Sequence, residues 1–191
     1  MSDRQELIME AAVRVIARSG VRGLRVEKLA AEAGVSTALI YYHFKDRAGL
    51  IRRTLEFVSD RAGAYTDKAI ATARDARGEL EQMLLMELQE TEQVRENSTA
   101  WGELRASAVF ETELREALAT STRTWTDEVA ETIRAAQDAG CARPETDSEA
   151  AAQRLTALVE GVSMRWLSGS LTLEQARELL LGAIELELGA R

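Results

Sequence analysis

His43 and Cys141 are the only histidine and the only cysteine in this 191-residue chain, and they lie far apart in sequence. A zinc site needs several thiolate or imidazole ligands, and a thiol–imidazole couple needs both groups side by side. A di-iron bundle needs two Glu-x-x-His pairs, which a single histidine forbids. No glycine-rich phosphate loop is present either. The sequence therefore offers no metal site, no cofactor site and no catalytic group, and the chemistry left is recognition. It concentrates between Ser36 and Arg47, where hydroxyls, two tyrosines, the imidazole and two cations share one short stretch. If Ile40 and Phe44, spaced i and i+4, face a core, then Ala38, Leu39 and Tyr42 point away from it. Tyr41 and His43 then sit on the flanks, with Lys45 and Arg47 just beyond. Methyls and rings on such a face suit thymine methyls in a major groove, while hydroxyl, imidazole and cation suit phosphates.

The elements around this stretch have the grammar to present it. An apolar run at helical spacing (Leu7, Ile8, Ala11, Ala12, Val15, Ile16) predicts a first helix, opened by Ser2 with Gln5 as a capping box and stopped at Gly20. A short helix from about Val26 to Ala33 ends at Gly34, where a residue without Cβ takes the left-handed turn. Ser36 caps the next helix, which reaches about Phe44, and Asp46 caps a longer fourth one. Two short helices joined by a glycine turn make a helix-turn-helix, with the second as the reader.

Charge divides the chain in the same way. Residues 1–53 carry ten Lys/Arg against six Asp/Glu, a net +4, whereas residues 54–191 carry −12, within an overall −8. A basic head on an acidic body fits phosphate binding by the head alone. A lone cysteine, no apolar signal core and no long apolar run imply a cytoplasmic protein with no membrane partner.

The run from about residue 7 to 51 resembles the DNA-binding domain of the TetR family of transcriptional regulators. The matching residues are the first helix, Gly20 and Gly23, Leu29-Ala30, Ala33-Gly34-Val35-Ser36 and Leu39-Ile40-Tyr41-Tyr42-His43-Phe44-Lys45. The resemblance implies an all-α fold of about nine helices: a three-helix helix-turn-helix domain over residues 1–50, then a helical ligand-binding and dimerisation domain over 51–191. It implies Thr37, Ala38 and Tyr42 at groove-facing positions, and Tyr41, His43, Lys45 and Arg47 at phosphates. It further implies a homodimeric repressor on a double-stranded operator, released by a small-molecule effector. Leu39 and Glu27 depart from residues common at their positions, which bears on which DNA sequence is preferred.

In the body, Gly78 is expected to open a Leu/Met-rich helix, and Asn97-Ser98 to break the chain before a helix carrying Trp101. A long helix should run from about Glu111 to Ala139, and two final helices should open with capping boxes, Thr146 with Glu149 and Thr172 with Gln175. Apolar stripes on these last two, including Leu155, Leu158, Val162 and Trp166 on one and Leu180 and Ile184 on the other, are the expected dimer interface. The alternative is that these stripes pack only inside the single chain. The stretch from Leu155 to Trp166 resembles that of choline-responsive members of the family. Met83, Met86, Trp101, Phe110, Trp125 and Met164 are the adaptable side chains expected to line an effector pocket, with Glu87, Glu103 or Glu128 for a cationic group. A helical scaffold that binds only protein would explain the body but not the outward tyrosines. Activation in place of repression is left open.

Overall fold

The computed structural model describes residues 2–189, apart from the side chains at positions 68 and 69. Nine α-helices and two short 3-10 turns carry the described residues, and no strand occurs among them. They are α1 (Asp3–Ser19), α2 (Val26–Ala33), α3 (Thr37–Phe44), α4 (Arg47–Ile70), α5 (Ala76–Leu85), α6 (Glu92–Ser107), α7 (Arg115–Asp138), α8 (Ser148–Leu167) and α9 (Leu173–Leu188). The capping boxes at Ser2/Gln5 and Thr172/Gln175 form as the sequence predicts.

Four boundaries differ. Asn97 and Ser98 lie inside α6, because the Asn97 amide donates to the Val58 carbonyl at 3.1 Å in a buried site and so does not compete with its own backbone. Gly78 does not start α5. Asp75 caps it and accepts from the Gly78 amide at 2.7 Å. Thr146 donates its hydroxyl to the Glu187 carbonyl at 2.9 Å, leaving Asp147 to cap α8 through the Ala150 amide. The expected long helix at Glu111 also begins with a 3-10 turn, Thr112–Leu114, before α7.

Backbone contacts sort the chain into two interleaved units. One holds residues up to Arg61 together with Glu96–Ser121, and the other holds Ala62–Arg95 together with the chain from Thr122 onward. The first unit is built on α1, whose buried face (Ile8, Ala12, Ile16) packs with Leu29 of α2, Ile51 of α4 and Leu104 of α6. That core fixes the helix-turn-helix.

The second unit is centred on α8 and α9 with α5 and the second half of α7. Here the expected dimer residues require a correction. Leu155, Val162, Trp166, Leu180 and Ile184 are between 0% and 6% exposed in the single chain, and they form its own core. Leu158 is half-buried beside them. Both faces of this helix pair carry apolar residues, so periodicity alone does not say which face turns inward. The outward one presents Ala157, Gly161 and Met164 on α8 and Leu179, Gly182 and Leu186 on α9.

Candidate functional site

The reading helix is held from three sides. Gly34 closes α2 in the left-handed region (φ 64°, ψ 34°), where a side chain would be strained, and its amide bonds back into α2. Ser36 then caps α3, its hydroxyl accepting from the Leu39 amide at 3.2 Å. At the far end Lys45 adopts φ 60°, ψ −57°, and the Asp46 amide bonds the Phe44 carbonyl at 2.7 Å. This is a γ-turn of the strained, positive-φ kind. The first turn of α4 follows at once, so close that a Cβ on Gly49 would lie 2.5 Å from the Phe44 carbonyl oxygen. Only glycine permits that approach.

On α3 itself, Ile40 and Phe44 are buried, at 1% and 6% exposure, as the i, i+4 reading requires. Tyr42 is 80% exposed and Tyr41 51%, and Thr37 and Ala38 share the open side. The His43 and Tyr42 rings meet in a T-shaped contact, with centroids 5.1 Å apart and planes at 72°. Lys45 is exposed beyond the turn. Burying two tyrosine rings is a normal gain of folding; here two are left in water on an eight-residue helix, which is the expectation for a surface built to meet a partner.

α1 and α2 are stapled through Glu32. It accepts from Arg14 Nε at 3.0 Å and from Arg18, and these hydrogen bonds, Arg18's foremost, hold its carboxyl below the usual glutamate range. Arg47, expected at a phosphate, donates Nη2 to the Val21 carbonyl at 2.8 Å and Nε to the Leu24 carbonyl at 3.4 Å.

The effector residues predicted from sequence divide between the units. Trp101 packs on the core of the first, with the Arg105 guanidinium 5.3 Å above its ring, and Phe110 there is 79% exposed. Met83, Met86, Glu87, Trp125 and Met164 belong to the second. Met83 and Trp125 pack against its core, while Met164 is 43% exposed. Tyr65 and Glu160 were missed. The Tyr65 hydroxyl lies 3.0 and 2.9 Å from the two Glu87 carboxylate oxygens. Desolvation, opposed by this hydrogen bond and reinforced by the nearby Glu160, pushes the Glu87 carboxyl up to about 7. Glu87 nonetheless keeps some accessible surface. An open cleft of about 520 Å³ elsewhere in this unit, lined by Asp75, Arg77, Cys141, Arg143, Leu188 and Gly189, contains none of the predicted pocket residues.

An all-helical chain with an exposed reading helix after a glycine turn defines a helix-turn-helix DNA-binding regulator. Residues 8–54 match the family model for bacterial regulatory proteins of the tetR family, and residues 76–189 match that for the C-terminal part of BetI-type transcriptional repressors. The chain belongs to the TetR family of transcriptional regulators. It is 24% identical over 169 residues to the HTH-type transcriptional regulator BetI of Burkholderia lata, covering 88% of this chain and 82% of that protein. A crystal structure of a TetR-family regulator from Rhodococcus sp. shares 46% identity with a TM-score of 0.92, over 98% of this chain and all of that one. A regulator from Saccharomonospora viridis, solved in complex with choline, shares 27% identity with a TM-score of 0.87 over the full length of both chains. No helix among the described residues is long and apolar enough to cross a membrane.

Proposed function

We propose that the chain is a cytoplasmic repressor that binds a palindromic operator as a twofold dimer and leaves it when a small organic cation binds the second unit. The observation that carries the DNA half is the open face of α3. Thr37, Ala38 and Tyr42 lie in the groove, and Tyr41, His43 and Lys45 meet phosphates. Two copies would place their α3 helices in successive major grooves, about 34 Å apart.

The dimer forms through the outward stripes of α8 and α9. Leu179 and Leu186 are 48% and 80% exposed, and a Cβ at Gly161 or Gly182 would meet nothing within 4 Å, which leaves room for close helix approach by a second copy. The pair Leu186→Glu and Gly182→Arg should yield a folded monomer in sedimentation where the wild type is a dimer at micromolar concentration. A monomeric wild type would remove this part.

The effector reading rests on Glu87. A carboxyl deprived of water and facing Glu160 is stabilised by a cation more than by any other ligand class, and the solved relative that holds choline agrees in chemistry. Operator-bound protein should release its DNA on addition of choline and retain it with 3,3-dimethylbutan-1-ol, the uncharged analogue of the same shape. Release by both compounds, or by neither, contradicts a cation site. By linkage, DNA must weaken choline binding by the same factor that choline weakens DNA binding.

A further inference from the structure

We infer that Arg47 is a positioning residue that aims the reading helix, and not a phosphate ligand. Its place in the sequence, a cation just past the reading helix, suggests a backbone contact to DNA. Its hydrogen bonds point the other way. The guanidinium reaches back across the first unit, at 2.8 and 3.4 Å, to the carbonyls of Val21, which opens the 3-10 turn Val21–Gly23 leading into α2, and of Leu24, which closes it. Its third nitrogen lies 3.9 Å from a Glu111 carboxylate oxygen, on the turn after α6. One planar fork therefore joins three segments of the unit: the first residue of α4, the lead-in to α2 and the Glu111 turn. Arginine suits this role because its donors are fixed in one plane and leave in several directions, whereas a lysine ammonium is a single point.

The geometry explains why this matters for DNA. α2 begins two residues after Leu24, and α2 and α3 are joined only by the Gly34 turn and a shared buried side. The angle at which α2 leaves the 3-10 turn is thus transmitted to Tyr42 and Thr37 at the far end of the motif. Holding both carbonyls spends two of the five guanidinium donors and fixes its plane, so swinging the group out toward a phosphate conflicts with that hold. Lys45, exposed on the strained turn two residues earlier, is free of that conflict and serves as the cation for the backbone.

The two roles differ in what they leave intact. A phosphate contact contributes equally to specific and nonspecific binding and adds about one unit to the slope of log affinity against log salt. A positioning residue affects the operator alone. Operator and random-sequence duplexes should therefore be titrated with full-length wild type, Arg47→Ala and Arg47→Lys over a range of salt, with hydrogen exchange of the DNA-free proteins alongside. We expect Arg47→Ala to lose about tenfold or more on the operator while its random-sequence affinity and salt slope stay at wild-type values, and Arg47→Lys to fail to restore the loss. Amides from Leu24 to Leu29 should exchange faster in both variants. A slope lower by about one unit with rescue by Arg47→Lys would overturn the inference, as would wild-type exchange across Leu24–Leu29 or wild-type operator affinity in both variants. If Arg47→Ala does not fold, Arg47→Lys, which keeps the charge, carries the same test.

Discussion

Two glutamates, one in each unit, show how differently the halves of this molecule treat charge. Glu32, between α1 and α2, is gripped by Arg14 and Arg18, and its carboxyl is held low. Glu87, in the turn after α5, has among the described residues a tyrosine hydroxyl for a partner and a second carboxylate for a neighbour, and its carboxyl is raised. The first unit satisfies its own acid with two of its cations. The second keeps an acid that is desolvated beside another carboxylate. A regulator needs both arrangements: a head that is stable without DNA, and a body that gains from binding something it does not contain.

The largest effect that tests this contrast is a pH dependence of folding. A glutamate raised to about 7 when folded and near 4.5 when unfolded costs nothing below pH 4.5, where both states are protonated. As pH rises from there to 7 the unfolded chain gives up its proton first, so stability falls, by about 3 kcal/mol in all, and levels off above 7. Denaturant titrations should show this fall in wild type and its absence in Glu87→Gln, which keeps a hydrogen-bond acceptor for Tyr65 without a charge to desolvate. Equal pH profiles would mean that Glu87 is not starved of a counter-charge.

The next effect is on the effector. Glu87→Gln should weaken choline binding about thirtyfold or more by calorimetry, a loss of about 2 kcal/mol, since removing one partner of a desolvated pair is costly. In wild type the affinity should rise with pH up to about 7 and then level off, because the cation selects the ionised carboxylate. Affinity that falls over the same range would contradict this.

The smallest effect belongs to Glu32. Because its folded carboxyl is held low, its contribution is present above pH 4.5 and disappears as pH falls through the folded value. Glu32→Gln should therefore lower the melting temperature slightly at pH 7, and by progressively less as pH falls below 4.5. Its partners are partly exposed, so water screens the pair. A loss at pH 7 larger than the Glu87→Gln change would invert the comparison.

What the sequence disclosed follows from how many faces each helix must bury. α3 has one core stripe, Ile40 and Phe44, so its outward residues could be read by subtraction. α8 and α9 are apolar on two sides, and the stripe with the larger residues belongs to the chain's own core, which is why Leu155, Val162, Trp166, Leu180 and Ile184 were misplaced. Asn97 looks like a helix breaker until its side chain finds the Val58 carbonyl, 39 residues away. Tyr65, on α4, and Glu87, in the turn after α5, are 22 residues apart, with no motif to link them. Arg47 shows the limit most plainly. Its type and position suggest one partner, and only the fold reveals the carbonyls it holds.

Operator binding by Tyr42→Ala, measured by fluorescence anisotropy against the upstream DNA at fixed salt, tests the reading helix most directly. Tyr42 is 80% exposed and touches no core, so the variant should melt like wild type. Its discrimination between operator and random duplex should fall by about 1–3 kcal/mol, with little change in random-sequence affinity. Undiminished discrimination by a folded Tyr42→Ala dimer would contradict the assignment of α3 as the surface that reads DNA.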